Sequence, residues 1–465
     1  MLEKQPEDSY SVISMAGDFG VVGSQIQKDL GIEWAPKADI MNEYVKETGG
    51  RCDTWMMSYW YDHSGEDFDW FIEGADYEVL KSTAANRETD KPNFIRPKCF
   101  PKLETYDYKE EVYPYFHGTI TTNPNMQWAC EAAFNAALAA GAELIYEAEG
   151  EQLIKEGDAV VGAYAKTKDG YLKVNAKATV LCCGDYGANT EMRHYYAPWT
   201  EEFMGGVDDG RGQLMGIWAG GWMELGPHAP MTHHMGGALG VDSFLQLNME
   251  GKRFCNEDTG FVYMGNITKY LPRYNGANVD ANHPDGSLGW YCQIYDSDYM
   301  SYANSPVPEQ VMTKYIPGAV ENPQGVFTNL IDTYKADTIE ELAALLDVPA
   351  DELQKTIDRY NELCDQGTDA DFGKKSAYMH KIEKAPFWGV RKHIRVSSID
   401  SGVNTNANGQ ALDADGKVIE GLYCVGNVGG VFYGGADYPF HQTGLSLGRC
   451  YTFGMLAAKH AMGQL

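Results

Sequence analysis

The chain has 465 residues, with 66 Asp and Glu against 37 Lys and Arg, a net charge of −29. Phosphate binding needs clustered cations, so this balance disfavours a nucleic-acid partner and reads as a solvated acidic surface. Hydrophobic residues make up 44%, yet no apolar run is long enough for a membrane span and no basic-then-apolar leader opens the chain, which slightly favours the cytoplasm and leaves export of a longer form open.

The opening Leu2-Glu3-Lys4 reads as the end of a buried strand that delivers an acid to a nucleotide ribose. Residues 125–141, "NMQWACEAAFNAALAAG", have helix-forming composition and a glycine stop, and "AELIYEAEGEQLI" follows as a strand. "DAVVGAYAKTKDGYLKVNAKATVLCCGDYG" predicts two or three strands around a Lys-Asp-Gly turn, closing on a buried run at 178–183. Strands alternating with helices imply a parallel sheet.

From about 223 to 390 the sequence changes to polar loops rich in Gly, Asn, Pro and aromatics, with one helical pair. Thr338 with Glu341 makes a capping box for "IEELAALL", and Pro349 opens "ADELQKTIDRYNELC" with Leu353, Ile357, Tyr360 and Leu363 on one face. This predicts an inserted second domain. Strand and turn chemistry resumes afterwards, and residues 443–462 read as a final helix. The 10 cysteines lack CxxC spacing, so neither a disulfide framework nor a zinc site is expected. His233-His234 with His228 have poor ligand geometry, and no metal is assigned to them.

Three stretches carry chemistry. Glu3 is the first. The second is "VLCCGDYGANTEM", where a buried strand breaks at Gly184 and lets backbone approach a ligand. The third is "GLYCVGNVGG" followed by "DYPFHQTGLSLGRCYTFGMLAA", a strand, a glycine-rich crossing and a helix whose first turn holds Gly444 and Gly448. The unpaired N–H groups and positive potential at that helix start suit a flavin's pyrimidine edge.

Together these pieces resemble the flavoproteins of the fumarate reductase and 3-ketosteroid dehydrogenase superfamily over nearly the whole chain. "CCGDYGANTEM" is similar to that family's Ala-Thr-Gly-Gly-Phe-type turn, "DDGRGQLMGIWAGG" to a glycine-bearing helix start, "NMEGKRFCNED" to the GKRF-x-NE loop of the substrate cap, and "GLYCVGN" and "TGLSLGR" to the C-terminal flavin-binding pieces. The resemblance implies an α/β glutathione-reductase-like, Rossmann-type FAD-binding domain in residues 1–222 and 391–465, with an inserted α+β cap at 223–390 that closes over the flavin. It implies FAD as cofactor, with Glu3, Lys4, Gly17, Gly184, Asn189, Gly210, Gly426, Asn427, Gly444, Leu445, Ser446 and Leu447 around it. Family members carry a first strand, a G-x-G-x-x-G turn and a helix ahead of the acid, roughly thirty residues. This chain starts after them, and "GDFGVVG" and "DGRGQLMG" have other spacings, so the expectation is an N-terminally truncated domain that holds FAD weakly or not at all.

Within the resemblance, the fumarate reductases' donor arginine falls on Phe261, their carboxylate-binding arginine on Tyr438, their His-Thr pair near Ser397-Ser398 and a glutamate on Asn427, which argues against a dicarboxylate substrate. The ketosteroid branch has a tyrosine at the place of Tyr438-Pro439, and a neutral phenol can donate to an enone oxygen. That branch's proton-handling tyrosine falls on Phe261, so Tyr263 and Tyr299 are the substitutes, and His228 matches a remaining substrate histidine. The expected function is hydride transfer between FAD and a C–C bond beside a carbonyl, as an ene-reductase of an enone or unsaturated acid, with a small-molecule substrate and an electron donor that the sequence does not name. The alternatives are 3-ketosteroid desaturation and, from another class, a flavin-less binding protein, separable by an absorption spectrum.

Overall fold

The computed structural model describes residues 1–7, 17–81, 91–97, 116–197, 202–203, 205–238, 243–258, 290–303, 307–324, 326, 328–435 and 441–465. Contacts divide the chain into two compact units, one formed by Met1–Ala197, Gly205–Met231 and Ser398–Leu465, the other by Pro198–Met204 and Thr232–Ser397. The sequence places the crossings at 222/223 and 390/391. The strand Phe387–Ile399 runs past the second of these with its sheet partners, and Pro198–Met204 joins the second unit because Glu202 and Phe203 pair in parallel with Arg395 and Val396.

The first unit is built around its closing helix, Leu445–Ala461, which buries Leu445, Gly448, Tyr451, Phe453 and Leu456. It packs on the helix Thr54–Phe71, whose start is capped by the Asp53 carboxylate accepting from the Trp55 and Met56 N–H groups. The Gly20 carbonyl sits between the two, accepting from Trp60 Nε1 at 3.2 Å and Tyr451 OH at 2.9 Å. A Cβ on Gly448 would lie 2.4 Å from that same oxygen, so only glycine allows the approach.

Gly17–Gly20 is the first strand of a four-stranded sheet, followed in order by Thr119–Asn123, Phe94–Pro97 and Glu78–Val79. Glu149–Glu156, Ala159–Thr167 and Gly170–Asn175 form an antiparallel meander. Parallel pairing appears where Val418–Cys424 lies beside Thr179–Leu181. It also appears at the start of the chain, where Leu2 bridges Ile145 and the Glu3 N–H donates to the Ile145 carbonyl at 3.0 Å.

The expected helix at 125–141 forms as Gln127–Ala139. The single strand expected after it does not, because Glu147 takes a positive φ of 50° and the strand begins only at Glu149.

In the second unit, Pro230–Met235, Phe387–Ile399, Trp290–Tyr295 and Leu245–Asn248 lie side by side, with Thr333–Ala336 and Glu202–Phe203 also paired to Phe387–Ile399. Alternation sends Trp290, Cys292 and Ile294 with Leu245 and Leu247 to one face. The helices Ile339–Leu346 and Ala350–Gln366 cover them, burying Leu342, Leu346, Leu353, Ile357 and Tyr360. Among the described residues no helix is long and apolar enough to cross a membrane.

Candidate active site

Four sequence-distant pieces of the first unit meet in one polar network. The strand Thr179–Leu181 ends at Gly184, whose φ of 80° and crowded Cβ position, 2.6 Å from the Asp208 carboxyl carbon, exclude other residues. Its carbonyl accepts from Gln213 Nε2 at 3.1 Å, and the same nitrogen donates to the Asn427 carbonyl at 3.2 Å. Gln213 is held by the helix Arg211–Trp218, which starts at the left-handed Gly210. Asn427 lies in the short helical turn Gly426–Val428, and its Oδ1 accepts from Arg449 Nη2 at 2.5 Å. Asp400 joins the network through hydrogen bonds from the Ser446 and Ser398 hydroxyls, both at 3.1 Å.

Cys182, Cys183 and Cys450 are all exposed to solvent, yet the surrounding chain desolvates their thiolates and raises each pKa, that of Cys183 to about 12. Glu3 is an electrostatic neighbour of Cys182, and Cys182 is one of Cys450. A Cβ on Gly426 would lie 3.2 Å from Cys450 Sγ. The acid at the chain's start, the strand end before Gly184 and the first turns of the closing helix are therefore neighbours in the first unit.

Of the residues anticipated around a cofactor, Glu3, Gly184, Gly426, Asn427, Gly444 and Ser446 belong to this neighbourhood. Glu3 uses Oε1 to accept from the Gln5 N–H at 2.8 Å. Lys4 reaches Val207 O at 2.5 Å and Asp209 at 3.5 Å. Asn189 caps Thr190–Tyr196, accepting from the Met192 N–H and donating to Asp209 O at 3.0 Å, so it braces the turn from behind. Gly444 is the left-handed cap of the closing helix, and its carbonyl accepts from the Gly20 N–H at 2.7 Å. Leu445 is fully buried and Leu447 packs beside Phe19 and Tyr451. Gly17 sits apart, paired with Thr122 in the four-stranded sheet, where a Cβ would fall 1.9 Å from Thr122 Oγ1. Its glycine answers to packing.

Of the anticipated catalytic set, His228 and Tyr299 fall among the described residues. Tyr438 and Tyr263 lie outside the described residues. His228 is fully buried, accepts from Tyr186 OH at 2.5 Å through Nδ1 and donates from Nε2 to the Glu224 carbonyl at 3.0 Å, so neither ring nitrogen is left for a substrate. Tyr299, 2% exposed in the second unit, donates its hydroxyl to Val307 O at 2.8 Å and packs against Tyr295 and Trp388. Gln213, Asp400, Glu224 and Arg449 were not singled out from the sequence. A signal existed for Arg449, the only charged side chain of "LSLGRCYTFGMLAA".

The site accepts a flavin nucleotide on its own chemistry. Gly184, Gly426 and Gly444 take positive φ at the turns of this network, and the buried Gln213 Oε1, Asp400 Oδ2 and Arg449 Nε have no partner among the described residues. Residues 2–438 match the family model described as FAD binding domain. The chain belongs to this FAD-binding family. It is an FAD-dependent oxidoreductase. Its relatives include a vinyl phenol reductase of Lactiplantibacillus plantarum, 25% identical over 488 residues that span 99% of this chain and 90% of that protein. A 3-oxosteroid 1-dehydrogenase of Mycobacterium tuberculosis is 27% identical over 350 residues, 67% of this chain and 58% of its own length. Among solved structures, 3-ketosteroid delta1-dehydrogenase from Sterolibacterium denitrificans superposes with a TM-score of 0.68 at 18% identity, over 100% of this chain and 94% of that one, a likeness of fold.

Proposed function

We propose that the protein reduces a carbon–carbon double bond conjugated to a carbonyl, in a small enone or unsaturated acid. The observation that carries this reading is the convergence of Gly184, the Gly426–Val428 turn and the closing helix in one hydrogen-bonded network through Gln213, Asn427 and Arg449. FAD, when bound and reduced by an external two-electron donor, would supply the hydride. The chain's own groups do the rest. The start of Leu445–Ala461 offers the positive potential of its helix dipole to the electron-rich edge of the flavin. The Tyr438 phenol donates to the substrate oxygen, and Tyr263 hands a proton to the neighbouring carbon. The relative named a vinyl phenol reductase, which spans nearly the whole chain, supports reduction. The relative named a 3-oxosteroid 1-dehydrogenase supports the second reading, desaturation of a 3-ketosteroid.

The test is reconstitution with FAD followed by anaerobic assay. Oxidation of reduced viologen on adding an enone or unsaturated acid supports the first reading. Reduction of an artificial dye by a 3-ketosteroid, without viologen oxidation, supports the second. A purified chain that forms no yellow complex with added FAD overturns both.

A further inference from the structure

Val431 takes a left-handed backbone at φ 61°, a conformation that a β-branched side chain resists and that recurs where a site needs an unusual turn. Two contacts hold it. Its N–H donates to the buried Glu224 carboxylate at 2.6 Å, and its carbonyl accepts from the Asp53 N–H at 2.7 Å. The turn sends the next two rings, Phe432 and Tyr433, both fully buried, onto one guanidinium. Arg449 Cζ lies 5.4 Å from the Phe432 centroid and 4.7 Å from the Tyr433 centroid.

Arg449 is only 1% exposed, a rare condition for an arginine without a purpose beyond the surface. Its Nη2 is spent on Asn427 Oδ1, and its Nε has no partner. Asp400 is an electrostatic neighbour, and it in turn accepts from Ser446 in the first turn of the closing helix. One buried cation thus stands behind both the Gly426–Val428 turn and the helix start.

We propose that Arg449 is a positioning residue for the flavin: through Asn427 it sets the Gly426–Val428 turn against the cofactor, and its buried positive charge makes the flavin easier to reduce. This rests on the flavoenzyme reading above. Two jobs of one side chain are separable by substitution. Lysine keeps the charge and loses the planar fork that engages Asn427. Methionine keeps the length and loses both. Asn427→Ala keeps the charge and loses the contact.

The experiment measures FAD affinity by fluorescence titration and the midpoint potential of bound FAD by dye equilibration, for the wild-type chain and R449K, R449M and N427A. The expected result is a lower midpoint in R449M, a midpoint near wild type in R449K and N427A, and FAD affinity weakened by tenfold or more in all three. An R449M midpoint equal to wild type with FAD bound overturns the charge role. Unchanged affinity in N427A and R449K overturns the positioning role, and these two decide the matter if R449M does not fold. Failure of the wild-type chain to bind FAD removes the flavoenzyme reading itself, whereas a difference confined to the variants bears on Arg449 alone.

Discussion

Tyr186 and His228 form a closed pair, the phenol donating to Nδ1 at 2.5 Å while the opposite ring nitrogen donates to a backbone carbonyl. Burial lowers the His228 pKa to about 4, and the free imidazole of an unfolded chain titrates near 6.5. The folded form therefore binds fewer protons in this window. His228 contributes stability that is complete above about pH 6.5 and is lost as pH falls toward 4, a change of roughly 3 kcal/mol. In an Asp67→Asn background, where the opposing carboxyl is absent, denaturant titrations from pH 7.5 to 4.5 should show that slope, and adding His228→Phe should remove it.

Asp67 behaves in the opposite sense. It is 3% exposed on the helix Thr54–Phe71 with Oδ2 unpartnered, and burial raises its pKa from 3.8 to about 6. The unfolded chain ionises first, so stability falls as pH rises from about 4 to 6 and the full penalty stands at neutral pH. Asp67→Asn should raise the unfolding free energy at pH 7 by roughly 2–3 kcal/mol and leave it unchanged near pH 4. The two slopes oppose each other in the native chain, so each should be seen most clearly in the variant that lacks the other.

Gly402 has no left-handed φ, yet a Cβ there would stand 2.0 Å from the Val428 carbonyl oxygen. Gly402→Ala must push the Gly426–Val428 turn out of place. The expected cost is about 2 kcal/mol or more, read as a fall in Tm, with weakened FAD uptake in whatever fraction folds.

In the second unit, the "GKRF-x-NE" stretch closes on itself. Arg253 meets Glu257 through two bonds of 2.8 and 2.7 Å and Asp369 through two of 3.0 and 2.7 Å, with all three side chains at most 6% exposed. Lys374 adds a bond to Tyr360 OH at 2.7 Å and lies 3.4 Å from Glu257. Arg253→Met leaves two buried carboxylates short of a cation, and about 3–5 kcal/mol should be lost. A two-step unfolding curve whose first step alone moves would localise the loss to this unit.

Much of this architecture is legible in the residues. The Thr338 cap, which accepts from the Glu341 N–H at 3.1 Å, and the helix after Pro349 with Leu353, Ile357, Tyr360 and Leu363 inside follow from local rules acting over a few positions. The glycine break at 184 and the strand-to-helix order around 426–445 are similarly local, with left-handed backbone at Gly184, Gly426 and Gly444. What escapes is whatever closes over a long loop. Gln213 reaches Asn427 across 214 positions and Glu224 reaches Val431 across 207, and no periodicity encodes either. His228 shows the converse. Its motif context suggests chemistry, but its burial between Tyr186 and Tyr196 was decided by tertiary packing that no neighbouring residue announces.

The left-handed Val431 has a consequence for evolution in the laboratory. Glycine would adopt that geometry freely, relieving roughly 1–3 kcal/mol of strain against the loss of a side chain packed on the core and glycine's greater unfolded entropy, so a screen for heat tolerance alone should collect Val431→Gly only where the strain outweighs both. The survivors would tolerate warmth while the aromatic clamp on Arg449 slackened, and selection for durability would trade away grip on the coenzyme.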